Sequence, residues 1–440
     1  MPSTALVWFR RDLRVHDHPP LRAALDAHDL VVPVFVLDDR LLLGRHASGS
    51  RTRFMLECLT DLRAALRQRG GDLVIARGTP EQELRKLASQ CDATAVYFAS
   101  DASPFAMRRD QRVEAALREV GVEPRRTPGN FVADIGKPKP YAVFTPFWRA
   151  WKELPRRELH GAPRVVPIPA QLRAGELPDL KLQDLVPDPL KGGETEGRKR
   201  MHAWLRDGID TYAQHHDRVS GGTSMLSPYL HFGCISAREL EAKAGRHDAY
   251  TRQLAWRDFY AHVLLHNPGN ARHAYRKELD DIEWDGSDEH FDAWREGRTG
   301  YPIVDAGMRE LKATGWMHNR ARLITACFLV KDLHIDWRQG ERHFMQLLLD
   351  GDEANNNGNW QWISSVGVDP APVTRRLYNP MLQQERHDPE GTYVRRWVPE
   401  LSDVPLNQLA KPWEAGHEAP IVDHAVERRR TLDAYAAARS

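Results

Sequence analysis

The chain has 440 residues, a formal net charge of +1, 41% hydrophobic and 28% charged residues, the balance of an ordinary globular protein long enough for two domains. No run reaches the roughly 18 apolar residues of a membrane span, and the N-terminus runs straight into Ala5–Phe9 without a secretion-signal pattern. A cytoplasmic protein with no membrane segment is expected, and a balanced charge neither requires nor excludes a nucleic-acid partner.

Strand-like apolar runs at Ala5–Phe9, Val31–Leu37, Leu73–Ala76 and Ala93–Ala99 alternate with helix-like segments at Arg51–Arg69, Glu81–Gln90 and Pro104–Val120. Phe54, Leu56, Leu59, Leu62 and Leu66 follow the spacing of an amphipathic helix. The strands are continuously apolar, as in a parallel sheet covered on both faces. A Rossmann-like α/β domain over residues 1–130 is expected. No G-x-G-x-x-G follows the first strand, and six residues rather than four separate Gly129 from Gly136-Lys137. Ordinary dinucleotide and NTP sites are thereby excluded.

Residues 131–198 read as a connector, with a disordered linker as the alternative. Prolines recur from Pro155 to Pro189 and break any helix. Leu172, Leu177, Leu180, Leu182 and Leu185 offer apolar anchors. Residues 199–440 read as an all-helical domain, clearest at Tyr250–His266, Ile303–Ala313, Arg320–Lys331 and a terminal Ala425–Ala438. Nearly all of the 13 tryptophans lie beyond residue 147, which implies a large aromatic core there. Cys58, Cys91, Cys234 and Cys327 lack C-x-x-C spacing and read as reduced, partly buried thiols. No cluster has metal spacing, and His215-His216-Asp217 reads as a solvated turn.

The helical half carries the dense motifs. Gly222-Thr-Ser-Met-Leu-Ser-Pro-Tyr-Leu230 sets hydroxyls and amide N–H groups at a helix start, which suits a phosphate but also a plain N-cap. Leu254-Ala-Trp-Arg-Asp-Phe-Tyr260, Gly315-Trp-Met-His-Asn-Arg-Ala-Arg322 and Leu349-Asp-Gly-Asp-Glu-Ala-Asn-Asn-Asn-Gly-Asn-Trp-Gln-Trp362 combine aromatic, amide and charged side chains. Each alone could be a structural polar network. Arg322 and Asp350 are suited to a buried ion pair.

Taken together, these motifs resemble the photolyase/cryptochrome flavoproteins, closest to class I-like cyclobutane pyrimidine dimer photolyases. Leu6-Val-Trp-Phe-Arg-Arg-Asp-Leu-Arg-Val-His-Asp17, Tyr141-Ala-Val-Phe-Thr-Pro-Phe-Trp148, Gly300-Tyr-Pro-Ile-Val-Asp305 and Tyr378-Asn-Pro380 look like signatures of that family along essentially the whole chain. The resemblance implies FAD in the helical domain. Its phosphates would lie on Tyr212 and Thr223, Ser224, Met225, Leu226 and Ser227. Its ribose and isoalloxazine would lie against Arg257, Asn319, Arg322, Asp350 and Asp352, with Asn356 beside flavin N5. Trp284, Trp337 and Trp360 match an electron relay from the surface to the flavin.

The implied activity is light-driven repair of cyclobutane pyrimidine dimers by electron transfer from photoexcited reduced FAD, on UV-damaged DNA whose dimer is flipped out of the duplex. Trp256 and Trp362 match the walls of the lesion pocket, and Asn319 a lesion contact. Three departures fall at that pocket. Gln253 stands where the family usually has glutamate, Leu323 where methionine is common, and Val373-Thr374 where an aromatic pair is expected. They leave a cryptochrome-like photoreceptor or an altered lesion preference as alternatives. Phe105-Ala106 replaces the folate-binding Asn-Glu pair, so 8-hydroxydeazaflavin is favoured over folate as an antenna, with an empty site as the other reading. A monomer is expected, with DNA contacts from Arg375, Arg376, Arg395, Arg396 and Arg198-Lys-Arg200.

Overall fold

The four apolar runs form strands, and a fifth strand adds at the edge by pairing alone. In the computed structural model, which describes residues 2–280 and 282–438, β1 (Thr4–Phe9), β2 (Leu30–Leu37), β3 (Val74–Arg77), β4 (Ala93–Ala99) and β5 (Glu123–Thr127) make one parallel sheet of order β3-β2-β1-β4-β5. Ala5 pairs with Val31 on one side of β1 and with Ala95 on the other. All six residues of β1 are buried, as a central parallel strand between helical layers requires. The helices α1 (Pro19–Ala27), α2 (Gly49–Arg67), α3 (Pro80–Gln90) and α4 (Pro104–Arg118) complete the α/β domain. The chain passes from β1 to β2 on one side and reaches β4 on the other. A crevice therefore opens at the carboxyl ends of β1 and β4, where ligands bind in open α/β sheets.

The chain divides into two units. One holds the residues up to Leu185 with Leu190–Ile209 and Ser224–His266; the other holds Val186–Pro189, Asp210–Thr223 and the chain from Asn267 on. In the first unit the proline-rich segment is pinned to the sheet domain. Val166 donates to the Arg69 carbonyl, Val31 to that of Pro167 and Ile75 to that of Ala174. Leu172 packs against the sheet's core, whereas the expected anchor Leu185 is 43% exposed. Two long-range ties complete this unit. Helix α5 (Phe144–Glu153) is held to α6 (Asp248–His266) by Asp258, which accepts from the N–H groups of Val132 and Ala133 and from the Trp151 indole. Complete burial outweighs these donors and pushes the Asp258 carboxyl up to about 6. Cys58 and Cys234, both buried free thiols, lie with sulfurs 3.3 Å apart.

The second unit is helical, with α7 (Pro302–Thr314), α8 (Asn319–Lys331), α9 (Trp337–Leu347), α10 (Glu353–Ile363) and the terminal α11 (His424–Ala437). Its core holds Trp294, Trp337, Trp360, Phe328 and Phe344. Gly340 sets how closely α9 meets α10, because a Cβ there would lie 2.2 Å from the Trp360 ring. No described helix is long and apolar enough to cross a membrane.

Candidate functional site

The crevice in the first unit is open to solvent and lined by Arg10, Arg11 and Asp12 after β1, Ser100 and Asp101 after β4, and Asn130, Phe131 and Arg257. Arg10 pairs with Asp110 at 2.5 Å, and the Arg11 guanidinium lies 3.6 Å from Asp101. Burial opposes the charge on Asp101, but Arg11 and Arg10 more than offset it and hold the carboxyl at about 2. Arg257 donates to the Asn130 and Leu230 carbonyls and lies 5.4 Å from the centre of the Phe131 ring. The cavity is thus a charged rim around an aromatic face.

Arg257 extends into this cavity from α6, the helix that also carries Gln253 and Trp256. Gln253 is exposed and Trp256 half-buried. The Trp256 ring stacks on buried Phe144 at 3.7 Å with an interplanar angle of 5°, so its plane is set before any ligand arrives. The same helix begins near Ser224. Tyr250 donates its hydroxyl to Ser224 Oγ at 3.0 Å, and the Leu226 N–H reaches the same oxygen at 3.4 Å. With both donors pointing into Oγ, the serine's own proton is available to an acceptor such as a phosphate oxygen. Met225 has φ of 52°, a left-handed backbone that few non-glycine residues adopt. The helix that follows, Ser227–His231, has only five residues, so hydroxyls rather than a helix dipole would carry anion binding here.

In the second unit Arg322 and Asp350 form the expected ion pair as a two-pronged fork, with distances of 3.1 and 2.8 Å, while Arg322 Nε donates to the Met317 carbonyl. Asp352 caps α10 by accepting from the Asn355 N–H at 2.9 Å. Asn356 donates its amide to the Glu341 carbonyl and carboxylate at 2.9 and 3.1 Å, so both bonds use Nδ2 and neither uses Oδ1. Nothing along the chain links Glu341 to Asn356, fifteen residues on, so this contact has no signal in the sequence. Tyr212 is buried and Thr223 half-buried in this unit. Asn319 opens α8 as an exposed residue, and Leu323 follows one turn on, half-buried on the same side. His318, just before them, caps α8 instead of sharing that face, and burial lowers its imidazole to about 4.

The tryptophans divide into two kinds. Trp294 is fully buried and donates its indole N–H to the Thr325 carbonyl at 2.9 Å, as a structural core residue should. Trp360 and Trp337 are equally buried, the latter with an indole nitrogen that has no hydrogen-bond partner, and Trp284 packs half-buried against the same core. Trp362, expected from sequence as a lesion contact, donates to Asp369 at 3.0 Å and has the Arg376 guanidinium 4.2 Å above its ring. Arg376, expected as a surface DNA contact, is instead 2% exposed and committed to Asp369 and Trp362. Arg375 and Arg396 are exposed, whereas Arg395 donates to the Val404 carbonyl and Arg198 pairs with Glu239.

Two family models match the chain: one described as DNA photolyase over residues 5–169, and one described as the FAD binding domain of DNA photolyase over residues 250–437. The deoxyribodipyrimidine photo-lyase of Streptomyces griseus is 42% identical over 97% of this chain and 98% of its own length. That of Escherichia coli is 36% identical over 99% of both. Among solved structures, a bacterial class III photolyase from Agrobacterium tumefaciens superposes with a TM-score of 0.92 at 33% identity, covering 100% of this chain and 98% of that one. An archaeal photolyase from Sulfolobus tokodaii with two FAD molecules superposes with a TM-score of 0.89 at 33% identity, covering 99% and 100%.

Proposed function

The chain belongs to the DNA photolyase family and is an enzyme of that class, and on that premise we propose that it repairs cyclobutane pyrimidine dimers in UV-damaged DNA, as a cytoplasmic monomer. The observation that carries this reading is the clamped indole of Trp362, a preset aromatic surface of the kind a flipped, poorly stacked dimer requires. Trp256, Gln253, Asn319 and Leu323 are the other proposed lesion contacts. Gln253 supplies amide hydrogen bonds where a carboxylate would supply charge.

The residues fit FAD on two counts: the hydroxyl geometry at Ser224 and an Asn356 amide whose bonds to Glu341 fix Nδ2 and leave Oδ1 as an acceptor. When bound and reduced, FAD supplies the electron that opens the dimer's cyclobutane ring under blue light and that returns afterwards. Tyr212 and Thr223–Ser227 are proposed to hold the phosphates, while Asn319, Arg322, Asp350 and Asp352 bind the remainder; Arg257, expected among them, is instead held by the Asn130 and Leu230 carbonyls at the sheet's crevice. Asn356 presents an acceptor to a protonated ring nitrogen. Trp284, Trp337 and Trp360 pass an electron inward to restore the reduced state.

The crevice at the sheet's switch point is the proposed place of a second, light-collecting chromophore, with 8-hydroxydeazaflavin favoured. The excitation spectrum of the flavin-bound protein checks this.

In the dark, the protein carrying reduced FAD is expected to bind an oligonucleotide with one thymine cyclobutane dimer at least about a thousandfold tighter than the intact sequence. The Trp362→Ala variant should lose most of that preference. Equal affinity for both oligonucleotides in the unaltered protein would contradict the reading.

A further inference from the structure

Lys331 is fully buried near the end of α8, where an ammonium costs several kcal/mol unless its partners compensate. Burial pulls its pKa down to about 8. Its partners are the Arg376 carbonyl at 2.7 Å and Ser365 Oγ at 3.4 Å. The same carbonyl receives the Cys327 thiol at 3.2 Å. Arg376 closes the turn Val373–Arg376, where Val373-Thr374 supply no aromatic side chain to seat the loop. A buried charge on the backbone thus holds a turn that no ring holds.

What that turn delivers is the Arg376 side chain. Its guanidinium covers Trp362 at 4.2 Å and pairs with Asp369 at 2.6 Å, and the Asp369 oxygen that it meets also accepts the Trp362 indole N–H at 3.0 Å. The indole is therefore fixed on one face by a cation and along one edge by a carboxylate. A stacked guanidinium of this kind fixes the ring plane.

We propose that Lys331 is a positioning residue for lesion recognition: by anchoring the Arg376 carbonyl it sets the clamp that orients Trp362 towards a flipped pyrimidine dimer. The inference rests on the reading of Trp362 as a lesion contact.

The test uses the protein with FAD bound and photoreduced, acting on an oligonucleotide with a single thymine dimer under blue light. Lys331→Met should raise KM about tenfold, with repair per absorbed photon at saturating DNA unchanged and flavin photoreduction unchanged. Lys331→Gln, whose amide still donates to the carbonyl, should return KM to within about twofold of the unaltered protein. Arg376→Met should raise KM as Lys331→Met does, and the double variant should be no worse than Arg376→Met alone, because both act through one clamp. An unchanged KM in Lys331→Met, or additive effects in the double variant, overturns the proposal. If Lys331→Met does not retain FAD, Asp369→Asn on the 35% exposed rim of the clamp decides the matter. A raised KM at unchanged saturated yield supports the proposal and an unchanged KM overturns it. Unaltered protein without preference for the dimer would overturn the lesion reading and this inference together. A preference that Lys331→Met fully retains would overturn this inference alone.

Discussion

Replacing Trp360 with phenylalanine is expected to slow photoreduction of the bound flavin by a hundredfold or more, about 2.7 kcal/mol of barrier. The benzene ring preserves most of the packing against Phe344, whose ring centre lies 5.0 Å away, and against Trp294 at 6.4 Å. It cannot be oxidised to a transient radical as indole can, so the loss should fall on electron supply rather than on folding. Trp294→Phe is the matched control. That residue is equally buried in the same core but spends its indole N–H on the Thr325 carbonyl, so it should cost stability and leave photoreduction intact. Timed absorbance of the flavin under blue light with an external reductant separates the two. Equal slowing in both variants would mean that these tryptophans act only as core.

A second large effect is expected at Asp350. Changing it to alanine leaves the Arg322 guanidinium, with only 23% of its side chain exposed, facing its remaining partner, the Met317 carbonyl. Removing one member of a buried pair costs about 3–5 kcal/mol, and the exposure of Arg322 places this case at the low end. Because the pair is proposed to hold the cofactor, FAD affinity should weaken as well, by about a hundredfold, at 1.4 kcal/mol per factor of ten. Asp350→Asn keeps one hydrogen bond and should lose less. Flavin retained after dialysis, read by absorbance, checks the order Asp350, Asn, Ala. A fully flavin-loaded alanine variant would remove Arg322 and Asp350 from the cofactor's ligands.

The parts of the fold legible in the sequence are those where burial leaves a pattern. Strands β1, β2 and β4 are nearly all buried and read as continuous apolar runs. The edge strand β5, Glu-Pro-Arg-Arg-Thr, has no fully buried residue and is defined only by pairing with β4, which no local pattern can announce. Helix α1 is only nine residues long, and its one sequence signal is the pair of prolines at its start. At the site, Arg322 and Asp350 could be paired from their chemistry alone. The clamp on Trp362 could not. Lys331 and Arg376 are 45 residues apart, and Arg376 looked like surface charge beside Arg375 until its burial was visible. A buried arginine and an exposed one are identical in sequence, and only the packing around Asp369 tells them apart.

The most direct test of the central claim is repair itself. Photoreduced protein is mixed with an oligonucleotide carrying one thymine cyclobutane dimer, illuminated with blue light, and compared with a dark control. Light-dependent restoration of intact thymines, with none in the dark, is the predicted result and would show that Gln253 and Leu323 are tolerated at the lesion. No restoration by protein that binds FAD and photoreduces it normally would contradict the account and direct attention to another lesion or to a sensory role.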